Sequence, residues 1–261
     1  MADKWIIGTG FTRGIGNELA KKLNEEGIKI IHLGRKKVGF ENEFVWWDLL
    51  NPLLDNPIGD LHKILFGKNI YGFIHCAGAM PLIEVQDTNK TQKRLFWQSQ
   101  AESMRINYLA CAELIEEILP FLSSPYDEPI EKYTPFVAHL SSLAAIDPFE
   151  GLELYGATKA ACLHYFNWLS KRFSSDKLCC LSIHPGVVQT DMTSDIINKE
   201  RQNSFLVKMF KSLLDENKML KPKDCAQKLY DYLFYEEELK TESHGRLFLL
   251  DKLKVYEGYK P

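Results

Sequence analysis

The sequence lacks the marks of several functional classes. Its six cysteines form no Cys-x-x-Cys pair and have no companion histidines at metal-ligand spacing, so no metal site is expected. Lysine plus arginine number 32 against 35 aspartates and glutamates, a net charge of −3, which removes the usual electrostatic basis for a nucleic-acid partner. The longest uncharged stretches, 133–146 and 178–190, fall short of the roughly 18 to 20 apolar residues that a membrane span needs, and they contain His or Pro. The N-terminus, Met1-Ala2-Asp3-Lys4-Trp5, runs into a strand-like segment without a secretory leader, so a cytoplasmic location is expected. Cysteines within apolar surroundings, as in Leu178-Cys179-Cys180-Leu181, read as free thiols in a reducing compartment. With 16 glycines and 11 prolines spread thinly, no low-complexity tract or linker is visible.

What remains is ordinary globular composition, 45% apolar over 261 residues, enough chain for one large core. Short apolar runs recur at Trp5-Ile6-Ile7, 29–33, 44–47, 70–75, 135–140, 178–183 and 245–250. Helical spacing fills most of the gaps, most clearly at 101–122, where Met104, Tyr108, Cys111, Ile115 and Leu119 recur, and at 154–173. Strands that lack strict alternation are buried on both faces, and interposed helices demand parallel pairing with right-handed crossovers. The expectation is an α/β, doubly wound Rossmann fold: a parallel sheet of about seven strands with helices on both faces, one domain over residues 1–261. The segment 188–220 reads as polar and irregular, a mobile flap that covers the site.

Thr9-Gly10-Phe11-Thr12-Arg13-Gly14-Ile15-Gly16 sets three glycines between the first strand and the first helix. In such a turn the glycines allow a tight bend, close approach of a pyrophosphate and close helix packing, while the helix N-terminus faces the anion. A dinucleotide fits. An Asp or Glu at the end of the second strand would accept from a ribose 2′-hydroxyl, but Gly34-Arg35-Lys36-Lys37 stands there instead. With Arg13 in the loop, those cations suit a 2′-phosphate and so NADP(H), unless they are simply solvated. Asp48 either accepts from the adenine amine or is an exposed loop acid.

Tyr155-Gly156-Ala157-Thr158-Lys159 places a phenol and an ammonium four residues apart, on one helix face. A phenol can protonate an alkoxide near neutral pH when a cation stands beside it, and Lys159 is spaced to be that cation. Ser141-Ser142 closes the fifth strand, where parallel sheets hold their ligands. Here the chain resembles the short-chain dehydrogenase/reductase family. The matching parts are the Thr9–Gly16 loop, Asp48, Cys76-Ala77-Gly78, Asn107, Ser142, Tyr155 with Lys159, and His184-Pro185-Gly186 with Thr190, all in the family's order. The resemblance implies that Ser142 binds the substrate carbonyl and Tyr155 donates the proton. It further implies that Lys159 holds the nicotinamide ribose and assists Tyr155, and that Asn107 supports a proton relay through water. Cofactor contacts are implied at Gly10, Thr12, Arg13, Gly14, Ile15, Gly16, Arg35, Asp48, Ala77 and Gly78. Others are implied at Tyr155, Lys159, Pro185, Gly186, Val188 and Thr190, the last at the carboxamide. Cys76 departs from the family's usual Asn-Ala-Gly.

Within the family the likeness is nearest to sepiapterin reductases and bacterial benzil reductases, carried by 141–149, Pro185–Met192, and Ala226–Leu229 leading to Leu250-Asp251-Lys252. It implies that Asp251 anchors a pterin edge through paired N–H bonds; the alternative is an exposed acid after the last strand. The expected function is NADPH-dependent reduction of a ketone or 1,2-diketone, with a pterin or benzil-like substrate. Two other readings stand beside it: a non-catalytic NADP(H)-binding redox sensor, and a reductase of the same chemistry acting on another substrate class. A homodimer or homotetramer is expected from the family likeness.

Overall fold

A computed structural model describes residues 3–55, 58–80, 90–122, 134–198 and 205–258. The chain ends, Tyr133 and residues 199–204 of the expected flap lie outside the described residues.

The first strand, β1 (Lys4–Thr9), turns through the glycines into α1 (Gly14–Glu25), then β2 (Lys29–Gly34) and β3 (Glu43–Trp46). α2 (Ile58–Leu65) leads to β4 (Asn69–His75), then α3 (Lys90–Met104), a π turn (Arg105–Leu109) and α4 (Ala110–Leu122). β5 (Phe136–Leu140) and a 3₁₀ turn (Leu143–Ala145) precede the long α5 (Glu153–Arg172) and β6 (Cys179–His184). α6 (Asp191–Asn198), α7 (Phe205–Asp215), α8 (Pro222–Tyr235) and α9 (Glu237–Glu242) follow, and the chain closes with β7 (Leu247–Leu249) and β8 (Lys254–Val255). The sheet order is β3-β2-β1-β4-β5-β6-β7-β8. All pairs are parallel except the last, a short antiparallel hairpin absent from the sequence expectation.

Successive strand residues feed opposite faces, as a pleat requires. Ile6, Ile30, Ile74, Ala138 and Leu181 pack with α1 and α8. Ile7, Ile31, Phe73, Val137 and Cys180 pack with α2, α4 and α5. This two-sided burial explains why the strands read as continuous apolar runs, and the architecture is the doubly wound Rossmann fold.

Two expectations need correction. The helix expected at 101–122 begins at Lys90 and is interrupted by the π turn at Arg105–Leu109. At its start the buried residues are Ser103 and Asn107, not Met104 and Tyr108. The segment 188–220 is not irregular among its described residues. It is a pair of helices, α6 and α7, whose ends are tied by a bridge between Val188 and Leu220.

Candidate active site

The crossover point of this sheet lies between β1 and β4, with β2 and β3 running one way and β5 to β8 the other. Ligands of open α/β sheets bind outside the carboxyl ends of the strands at this point. The residues singled out from the sequence gather there.

Gly10 and Gly14 take positive φ, +73° and +56°, a region side chains rarely adopt. A β-carbon on Gly10 would stand 2.6 Å from Ala77 Cα and from the Cys76 carbonyl carbon, so the end of β4 lies directly against the glycine loop. A β-carbon on Gly16 would meet the Gly10 carbonyl oxygen and come within 3.0 Å of Cys76 Cβ. Cys76 thus fills the space between loop and helix, and burial pushes its thiol well above its ordinary range. Helix α1 starts after Arg13 with no side-chain cap and no acid in its first turn. The N–H groups of Gly14, Ile15 and Gly16 are therefore left to an external acceptor. Across the loop Gly14 faces Thr190, whose methyl lies 3.4 Å from where its β-carbon would be. An open, uncapped cradle lined by glycine suits a pyrophosphate, and these residues fit a dinucleotide.

The cations flank this cradle, exposed with Thr12. Arg13 faces Asp191 at 4.0 Å, and Arg35 faces Asp48 at 4.0 Å, the outer limit of an ion pair. At this exposure such pairs contribute little, so both guanidinium groups remain open to a phosphate. Asp48 also accepts the Leu50 N–H at 3.2 Å, so neither role is exclusive.

On the other side of the crossover point stand the chemical groups. Ser142 caps the 3₁₀ turn after β5: its Oγ accepts the Ala144 N–H at 3.1 Å, which leaves its own O–H free to donate. Gly156 lets α5 press on this turn, since a β-carbon there would meet the Ala144 carbonyl oxygen. Lys159, only 3% exposed, donates to the Leu140 carbonyl at 2.8 Å, and its Nζ lies 5.7 Å from the centre of the Tyr155 ring. Two N–H groups of the ammonium remain for other acceptors. Gly78 sits opposite; a β-carbon there would lie 3.7 Å from Lys159 Nζ and 3.6 Å from Asn107 Oδ1.

Asn107 has no exposure and is engaged on every side. Its Oδ1 accepts the Ala79 N–H at 2.8 Å, and its Nδ2 donates its two hydrogens to Ala79 O and Thr158 Oγ1, each at 2.8 Å, with Ser103 Oγ close by at 3.1 Å. The amide clamps the loop after β4 to α5.

Pro185 and Gly186 follow β6. A β-carbon at Gly186, where φ is +83°, would stand 3.1 Å from Asp251 Cβ, which brings the exposed Asp251 to the same end of the sheet. Burial lowers His184, beside this loop, to about 4; Asp251 acts in the opposite sense. Thr190 caps α6 by exchanging bonds with Thr193, whose Oγ1 also donates to the buried Val188 carbonyl at 2.9 Å. The Tyr155 ring joins an apolar cluster with Leu152, Ile196, Leu206, Val207 and Phe210, so α6 and α7 pack beside it.

A buried polar row escaped the sequence reading. Thr9, His75, His139 and Ser182 occupy paired positions on β1, β4, β5 and β6, all facing α4 and α5. Thr9 bonds His75 at 2.8 Å and His139 bonds Ser182 at 2.8 Å. The available signal was a polar residue near the carboxyl end of each of four mainly apolar strands, with a second, His184, after Ser182 in β6.

Comparison with known proteins places the fold and the family. The family model for short chain dehydrogenases matches residues 61–201. A benzil reductase ((S)-benzoin forming) of Saccharomyces cerevisiae is 27% identical over 239 residues, 84% of this chain and 86% of that protein. The crystal structure of a short chain dehydrogenase/reductase from Saccharomyces cerevisiae superposes with a TM-score of 0.75 at 19% identity, covering 99% of this chain and 100% of that one. A short chain dehydrogenase from Burkholderia cenocepacia, solved in complex with NADP, gives 0.69 at 19% identity over 95% and 96% of the two chains.

Proposed function

The chain belongs to the short-chain dehydrogenase family of oxidoreductases, whose members bind NAD(P), and from that premise we propose that it is an NADPH-dependent carbonyl reductase acting on a compact ketone or 1,2-diketone. The observation that carries this reading is the grouping of Ser142, Tyr155 and a buried Lys159 beside the uncapped glycine loop.

A nicotinamide dinucleotide, when bound, would supply the hydride. The glycine loop and the first turn of α1 would hold its pyrophosphate, with Arg13 and Arg35 at the 2′-phosphate. The two remaining N–H groups of Lys159 would face the nicotinamide ribose and Tyr155. The chain's own task at the reacting carbonyl is to polarise it and to supply a proton. The Ser142 hydroxyl, its oxygen already held by Ala144, donates to the carbonyl oxygen and stabilises the charge that develops there. The Tyr155 phenol then delivers its proton to that oxygen, and the positive Lys159 stabilises the phenolate left behind. Asn107 serves the relay by position, since its amide is spent on Ala79 and Thr158. Helices α6 and α7, packed beside Tyr155, act as the cover that keeps water from the site.

The benzil reductase relative supports an aryl 1,2-diketone as the first substrate to test. The nearness of Asp251 to Gly186 supports a second, a pterin whose N–H-rich edge pairs with the carboxylate. NADPH oxidation with benzil, sepiapterin and simple ketones, using wild type and Asp251→Ala, separates them. Loss confined to the pterin supports anchoring by Asp251; equal rates with both classes remove that role. Cofactor binding without turnover of any carbonyl would favour the redox-sensor reading instead.

A further inference from the structure

The π turn at Arg105–Leu109 carries Asn107 on the inner face of an otherwise α-helical segment. In an α-helix the Ala110 N–H would bond the Ile106 carbonyl. Here it reaches back to Arg105 instead, the widened turn of a π insertion. The Ile106 carbonyl then meets a side chain from the sheet: His75 Nε2 lies 3.0 Å away. A carbonyl only accepts, so Nε2 carries the proton and donates. Nδ1 is therefore the acceptor, and the Thr9 hydroxyl donates to it at 2.8 Å.

His75 thus spans two parts of the site. Thr9 immediately precedes the Gly10 turn. Ile106 immediately precedes Asn107, whose amide fastens Ala79 and Thr158. The imidazole is 1% exposed. The charged and titratable groups facing it are Lys159 and His139, and they act with burial to hold it at about 3, so the strut stays neutral. We propose that His75 is a positioning residue that braces the π turn against the nucleotide loop and thereby fixes Asn107 and the catalytic helix in register with the cofactor. The proposal rests on the reductase reading for its kinetic consequence, but the brace itself can be read without turnover.

The experiment uses the full chain with NADPH and the carbonyl that wild type reduces best, in parallel with amide hydrogen exchange of the peptide covering residues 105–111. His75→Phe keeps a ring of similar size and removes both bonds. It is expected to lower kcat by about tenfold or more with the KM for NADPH within about threefold, and to raise exchange in that peptide about tenfold. His75→Gln, whose amide N–H can reach the Ile106 carbonyl, is expected to restore most of both. Thr9→Val leaves the ring in place but unpartnered at Nδ1, and is expected to raise exchange in the same peptide with folding retained. Unchanged exchange in His75→Phe, or a Gln variant as impaired as Phe, overturns the proposal. If the Phe variant does not fold, Thr9→Val and His75→Gln decide: wild-type exchange in Thr9→Val together with Gln behaving as a non-bonding residue overturns it. A wild-type chain that reduces no carbonyl defeats the reductase reading alone, and the exchange result still decides the brace.

Discussion

Gly10 and Gly27 share nearly the same backbone conformation, φ of +73° and +71°, in different surroundings. Replacing each with alanine separates backbone strain from close packing. At Gly27, which follows α1 and whose N–H bonds the Asn24 carbonyl, nothing lies within 4 Å of an added β-carbon. The cost there is left-handed strain alone, about 1–2 kcal/mol. At Gly10 the same strain is joined by backbone at 2.6 Å, from Ala77 Cα and the Cys76 carbonyl carbon, which cannot swing away as a side-chain tip would. Overpacking of this kind adds about 1–3 kcal/mol, so Gly10→Ala should cost about 2–5 kcal/mol in all. For a chain of this size that corresponds to a Tm lowered by roughly 4–9 °C, against about 2–4 °C for Gly27→Ala. Thermal melts of both variants with and without NADPH provide the assay. Gly10→Ala should also lose most of the upward shift that NADPH gives wild type, while Gly27→Ala keeps it. Equal Tm losses, or a full NADPH shift in Gly10→Ala, would refute the claim that the loop is shaped by its contact with the end of β4.

Other consequences are equally direct. Burial and the neighbouring Lys159 and His139 hold His75 at about 3 in the folded chain against an ordinary value of 6.5. The unfolded chain therefore binds the extra proton between these values, and stability falls as pH drops below about 6.5, by on the order of 2 kcal/mol at about pH 5 from this residue alone. Urea melts at about pH 7.5 and pH 5 should show this loss, reduced in His75→Gln; pH-independent stability would contradict it. Arg35→Ala should lower the preference for NADPH over NADH by roughly tenfold to a hundredfold, the loss of one charge-assisted bond; an unchanged ratio would place the 2′-phosphate elsewhere. Burial raises Cys179 to about 11 and Cys225 to about 12. Neither thiol should react with an aromatic disulfide reagent at about pH 8 until denaturant is added, and fast native labelling of either would contradict that burial.

The strands were legible because a parallel sheet covered on both faces turns Ile6-Ile7, Ile30-Ile31 and Val137-Ala138 into unbroken apolar runs. β8 was not, since two residues, Lys254 and Val255, carry no periodicity. The candidate site could be read where a residue type serves one chemistry at one spacing, as in Tyr155 with Lys159 or Gly10 with Gly14 and Gly16. It could not be read where a role arises from partners distant in sequence. His75 pairs with Thr9, 66 residues away, and Asn107, expected from the family resemblance, holds Ala79 and Thr158 through bonds that no local spacing announces. The π turn hid because the apolar spacing of Cys111, Ile115 and Leu119 continues past it without a break. In 188–220 the polar surface of two short helices masked the apolar set Leu206, Val207 and Phe210 that packs beneath.

The central claim, that Tyr155 gives the proton in an NADPH-dependent reduction, is tested most directly by Tyr155→Phe. The ring stays in its apolar cluster with Leu152 and Leu206, and only the hydroxyl is lost. NADPH should bind with a Kd within about threefold of wild type, while kcat for the best carbonyl falls by about a hundredfold or more. A variant that still turns over at a rate near wild type would contradict the account.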